Sequence, residues 1–192
     1  MRRALTLFPA LVVAALASLA LAACSTAAPA VTAGAGSVAV ITDSVGEKIA
    51  VDVKQALAQT VNVDAVAESG YLSASPGAVT DRVMSAPEST TVLVLALGAA
   101  DVNSAAPEEI RNAAIGQALA AASARADRVV VLAPLTPRGT GAAEWRAALR
   151  DAAAQFGAAY IDADFPGVVW DQNQLTTAAA AAVAARIADA IR

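Results

Sequence analysis

Three short segments carry side chains suited to nucleophilic chemistry: Thr42-Asp43-Ser44 closes one apolar run, Gly98-Ala99-Ala100-Asp101 closes another, and Asp171-Gln172-Asn173-Gln174 precedes the last helical stretch. A serine hydroxyl becomes a useful nucleophile when a base with a pKa near the working pH takes its proton. Histidine is the usual base, and none of the 192 residues is a histidine. A nucleophile and carboxylates are present, and the proton acceptor is missing. Each residue also has a structural reading. Ser44 lies in a strand-to-helix turn, where a serine oxygen caps the free N–H groups of a helix starting near Gly46. Asp43 and Asp101 suit loop-fixing hydrogen bonds, and Gly70 suits a backbone position with positive φ.

The elements that would position these residues alternate along the chain. Apolar runs at 38–41, 61–66, 92–97, 129–133 and 158–161 are separated by helical stretches. The first helix places Ile49, Val53 and Leu57 on one face, and another is opened by Pro107-Glu108-Glu109. Proline and acids in a first turn suit a helix N-terminus. A helix around Trp145 and Leu149 follows, and the last carries Val183, Ile187 and Ile191 four apart. Trp145 and Trp170 read as core or rim packing. Five strands alternating with helices predict an α/β fold, a three-layer, doubly wound parallel sheet. Val61-Asn62-Val63-Asp64 alternates in polarity, as an edge strand does, whereas 92–97 is continuously apolar, as a buried one is. The predicted order is therefore flavodoxin-like, 2-1-3-4-5. In such a sheet the crevice lies beyond the carboxyl ends of the strands, where Ser44, Gly98 to Asp101, and Asp171 to Gln174 should converge.

In that setting the sequence resembles the SGNH (GDSL-type) hydrolases, α/β esterases and lipases. Their first strand ends in Gly-Asp-Ser; here Thr42-Asp43-Ser44 lacks the glycine and keeps the aspartate and the serine. The resemblance implies that Ser44 stands at the nucleophile position and that Gly70, in Glu68-Ser69-Gly70, offers its backbone N–H to an oxyanion. The family's Gly-x-Asn-Asp matches Gly98-Ala99-Ala100-Asp101, so Ala100 replaces the asparagine whose amide completes the oxyanion hole with Ser44 and Gly70. Its Asp-x-x-His matches Asp171-Gln172-Asn173-Gln174, with Asp171 kept and Gln174 in the place of the base. These positions imply a degenerate member whose catalytic set is vestigial. Three readings stay open: a pseudoenzyme whose crevice binds an acyl, glycan or protein partner; an active esterase or acyltransferase using Ser44 with a non-standard base; and an interaction lipoprotein with no small-molecule site.

The N-terminus points to the cell envelope. Arg2-Arg3 is followed by an apolar stretch and by Leu21-Ala22-Ala23-Cys24. This pattern reads as a secretion signal over residues 1–23, and it resembles the bacterial lipobox, in which the cysteine becomes the first residue and is acylated. Acylation of Cys24 predicts an exported protein anchored in membrane lipid. Residues 24–36, rich in Ala, Thr, Pro and Gly, read as its tether, and residues 37–192 as a single domain. Loss of residues 1–23 removes two positive charges and no acid, so the net charge goes from −4 to −6, which argues against nucleic acid as a partner. One cysteine and no histidine leave little from which to build a metal site, and the predicted function needs no cofactor.

Overall fold

The computed structural model describes residues 36–192 except 58, 74–77, 138–140 and 173. The signal segment, Cys24 and the tether up to residue 35 lie outside the described residues, as does Asn173.

The parallel sheet forms from β1 (Ser37–Thr42), β2 (Val61–Ala65), β3 (Thr90–Ala96), β4 (Arg128–Leu132) and β5 (Ala159–Ile161), in the order β2-β1-β3-β4-β5. Val40 pairs with Val63 on one side and Val94 on the other, and Val94 in turn pairs with Val130. β3 is central and all but sealed in its second half, whereas Val63 on the edge strand is 43% exposed. That contrast follows from the alternating composition of β2 and the continuous apolar run of β3.

Each face of the sheet carries its own core. On one, α1 (Ser44–Ala56) packs on α5 (Thr177–Ile191): Ile49, Ala50 and Val53 meet Val183, Ala184 and Ile187 over Val38, Val40 and Val94. The buried alanines on α5 leave room for close helix approach, and Thr176 caps that helix by accepting from the Ala179 N–H at 3.3 Å. On the other face lie α2 (Val79–Met84), α3 (Glu108–Arg125) and α4 (Ala142–Gln155), which bury Val83, Ile115, Leu119, Trp145 and Leu149 against Leu93, Leu95 and Val131. Truncating any one of these large side chains to alanine would cost about 2–5 kcal/mol. A small antiparallel pair, β6 (Trp170–Asp171) and β7 (Gln174–Leu175), stands outside the main sheet and leads into α5.

No described helix is long and apolar enough to cross a membrane.

Candidate functional site

At the junction of β1 and α1 the helix cap is Asp43, not Ser44. Asp43 Oδ1 accepts from the backbone N–H groups of Val45 and Gly46, both at 3.0 Å. The helix begins at Ser44 itself, two residues earlier than the sequence suggested. Ser44 is thus the first helical residue, its side chain is exposed, and its hydroxyl has no hydrogen-bond partner among the described residues. Both residue types cap well; the second oxygen of Asp43 decides between them, because it also accepts from Ala99 N–H at 3.3 Å. Behind the junction Thr42 Oγ1 donates to the carbonyl of Ala96 at 3.0 Å, and a Cβ on Gly46 would run into that same hydroxyl. The start of α1 is therefore locked to the ends of both β1 and β3.

The loop after β2 is clamped from beneath. The Asp101 carboxylate accepts from Tyr71 N–H at 2.7 Å and Leu72 N–H at 3.3 Å. A side chain on Gly70 would collide with that carboxylate. Close approach to Asp101, rather than positive φ, therefore requires glycine here. Positive φ occurs instead at Gly98, at +106°. Arg82 locks the loop from the other side. Almost wholly buried, it donates through Nη1 to Ser69 Oγ, through Nε to Asp64 Oδ2, and through Nη2 to the carbonyls of Thr42 and Asp64, all within 2.7–2.8 Å. Gly70 N–H itself donates to Ser73 Oγ at 2.8 Å. Ala100 is exposed and brings no side-chain donor.

Asp171 and Gln174 face each other as cross-strand partners on β6 and β7, and both are exposed. Gln174 Oε1 accepts from Lys48 Nζ at 3.4 Å. Lys48 lies four residues after Ser44 on α1, and such residues share one helix face. The structure thus brings Gln174 to the face of α1 that carries Ser44, with Lys48 as its direct contact. The side chain of Asp171 makes no hydrogen bond to Gln174 or Ser44 among the described residues.

Burial pushes the carboxyls of both Asp43 and Asp101 above the ordinary aspartate range. Backbone N–H bonds oppose the rise in each case, Arg82 also opposes it at Asp43, and the negative charge of Asp43 adds to it at Asp101. Both carboxylates are spent on backbone N–H groups, so their work is to hold loops. Tyr71 is buried, stacks on Trp145 with ring centroids 6.1 Å apart, and leaves its hydroxyl without a partner among the described residues. Desolvation, then the charges of Asp101 and Asp43, hold that phenol protonated.

A cavity of 610 Å³ between α3 and α4 and one of 210 Å³ beside β1 and β2 are not lined by Ser44, Gly70 or Gln174.

The sequence reading missed three contributors. Lys48 was recoverable from its spacing to Ser44 along the helix. Arg82 and Ser73 were not, because their partners are fixed by tertiary contacts or by a turn with no strong signature.

No family model matches the sequence, and no curated protein matches it. Solved structures share its fold. A carbohydrate acetylesterase from Sinorhizobium meliloti is 14% identical, with a TM-score of 0.62, covering 81% of this chain and 98% of its own. An aryl esterase from M. smegmatis is 13% identical at a TM-score of 0.62, covering 82% and 98%. A variant of an acetyl xylan esterase from Geobacillus stearothermophilus is 10% identical at 0.63, covering 81% and 94%. The chain has an SGNH hydrolase-like fold.

Proposed function

We propose that this is an exported lipoprotein, anchored through acylated Cys24, whose SGNH hydrolase-like domain has lost catalysis and keeps its crevice as a binding surface. Its ligand is an acyl group, carried on a glycan or on another envelope component. The lipid anchor rests on the Leu21-Ala22-Ala23-Cys24 pattern, and the ligand class on the fold shared with esterases of acetylated and aryl substrates.

The loss of catalysis rests on Gln174, which sequence order matches to the base position and which is an amide whose oxygen accepts from Lys48. An amide cannot accept the serine proton. Removing a triad member leaves roughly 10³–10⁴ over water, and removing a side-chain oxyanion donor costs on the order of 10²–10³ more in rate. Hydrolysis of short-chain aryl esters by the wild type should therefore match that of Ser44→Ala. Turnover well above that control, or labelling of Ser44 by a fluorophosphonate, would overturn the proposal. The anchor is tested separately by intact mass of membrane-extracted protein, where an unmodified Cys24 or a retained Met1 would reject it.

A second reading, an active esterase, is supported by Lys48 itself, one helical turn from a Ser44 hydroxyl that has no partner among the described residues. A lysine acts as a base only when deprotonated. This reading requires activity that vanishes in Lys48→Met.

A further inference from the structure

The loop that carries Gly70 is held by Asp101 on one side and by Arg82 on another. Its Cβ position is filled by the Asp101 carboxylate, and the two following N–H groups are bound by that same carboxylate. The preceding Ser69 donates to the Val66 carbonyl at 2.7 Å and accepts from Arg82 at 2.8 Å. The N–H of Gly70 is thus presented in a fixed direction by groups that are themselves buried or anchored. Among the described residues its partner is a rotatable hydroxyl, Ser73 Oγ at 2.8 Å, on a residue that is only partly buried. The Ser73 N–H meanwhile closes the turn onto the Gly70 carbonyl at 3.2 Å, so the backbone of the turn stays in place when the side chain rotates.

We infer that Ser73 is a built-in competitor for the ligand: its hydroxyl occupies the acceptor place at Gly70 N–H that an acyl oxygen would take, and the ligand binds by displacing it. The inference rests on the proposed role of the crevice in binding acyl groups. Its chemistry is an exchange of acceptors. A χ1 rotation turns Ser73 Oγ out to water, and the carbonyl or carboxylate oxygen of the ligand accepts the freed N–H. No covalent step is involved. With Ala100 supplying no donor, Gly70 carries more of the ligand's polar recognition, so whatever covers it sets the affinity. The net worth of one neutral hydrogen bond corresponds to a factor of about 2–10 in affinity, which bounds the effect of the competitor.

The test follows the Gly70 amide resonance of the ¹⁵N-labelled full chain as sodium acetate is added at constant ionic strength. In Ser73→Ala the Gly70 amide should exchange with solvent faster than in the wild type, and acetate should bind about 2–10-fold more tightly. Ser73→Thr, which keeps the hydroxyl, should bind as the wild type does. Unchanged Tyr71 and Leu72 resonances show that the turn is intact. Should they move in Ser73→Ala, Ser73→Cys carries the same expectation, because sulfur is a poor acceptor. Equal acetate affinity in Ser73→Ala and the wild type, with Gly70 responding in both, would overturn the competition while leaving the binding crevice standing. A Ser73→Thr protein that binds as tightly as Ser73→Ala would also overturn it. Failure of every crevice amide to respond in any of the proteins would overturn both the competition and the acyl-binding reading.

Discussion

Arg82 donates to the carbonyl of Thr42 at 2.7 Å, so a guanidinium sealed inside the domain holds the end of the strand that delivers Ser44. The same group reaches the end of β2 and the loop bearing Gly70. A lysine cannot reproduce this, since its three donors share a single nitrogen, whereas Arg82 reaches four acceptors from three nitrogens of a planar fork.

Arg82→Met should therefore destabilise the fold by on the order of 2–4 kcal/mol, reduced from the cost of a fully buried pair because Asp64 is partly exposed. Arg82→Lys should recover less than half of that. Urea midpoints of the two variants check the ranking, and a Lys variant as stable as the wild type would show that charge alone matters.

Asp43 and Ser44 exchange the roles that their types allow. Ser44→Ala should change stability by less than about 0.5 kcal/mol, as an exposed substitution does. Asp43→Ala should cost about 1–3 kcal/mol, because it leaves the N–H groups of Val45, Gly46 and Ala99 without their acceptor. Chemical denaturation of the pair decides which residue is the cap.

The raised pKa of Asp43 gives that site a pH signature. The folded state binds the proton more tightly than the unfolded chain, so the stability contributed is fully present below the ordinary aspartate value, about 3.9. It is lost as pH rises through the higher folded value. Asp43→Asn, whose side-chain oxygen can still cap the helix, should gain on the wild type as pH is raised from about 4. A stability difference that stays flat across that range would contradict the shift.

Much of the fold was legible because burial writes itself into composition. Alternation at Asn62 and Asp64 marked the edge strand, unbroken apolarity over 92–97 marked the central one, and the four-residue spacing of Val183, Ile187 and Ile191 marked α5. The six-residue α2 was too short to show a period, and two-residue strands such as β6 and β7 have none. At the site, sequence order singled out Ser44, Gly70, Ala100, Asp171 and Gln174, but the bonds from Asp101 and Arg82 that hold the loop of Gly70 join residues distant in the chain. The sequence pointed to Ser44 as the cap, and the bonds from Asp43 to Val45, Gly46 and, 56 residues on, Ala99 give that place to Asp43 instead.

Tyr71 buries a hydroxyl that finds no partner among the described residues while its ring stacks on Trp145. A buried unsatisfied group costs about 1–3 kcal/mol. Tyr71→Phe keeps the ring and removes the oxygen, so it should raise the urea midpoint by an amount worth about 1 kcal/mol. A drop instead would reveal a hydrogen bond to an internal water that the phenol serves.

Restoring the missing groups tests the assignment of the site. Gln174→His together with Ala100→Asn supplies a base and the missing side-chain oxyanion donor, and groups that act as one catalytic unit are strongly non-additive, so neither change alone should do as much. Two neighbours limit the gain. Lys48, in contact with residue 174, places a positive charge beside the new imidazole and disfavours its protonated form, lowering its pKa below the usual value of about 6.5. Ser73 covers the Gly70 N–H that would share the oxyanion. The double variant should show weak ester hydrolysis that disappears on adding Ser44→Ala. Adding Lys48→Gln should move the acidic limb of the pH–rate profile upward, toward the value of a free imidazole. Adding Ser73→Ala should raise the rate with the pH profile unchanged. A double variant whose crystal structure places the introduced imidazole on the face of α1 away from Ser44 would show that Gln174 does not stand where a base once stood.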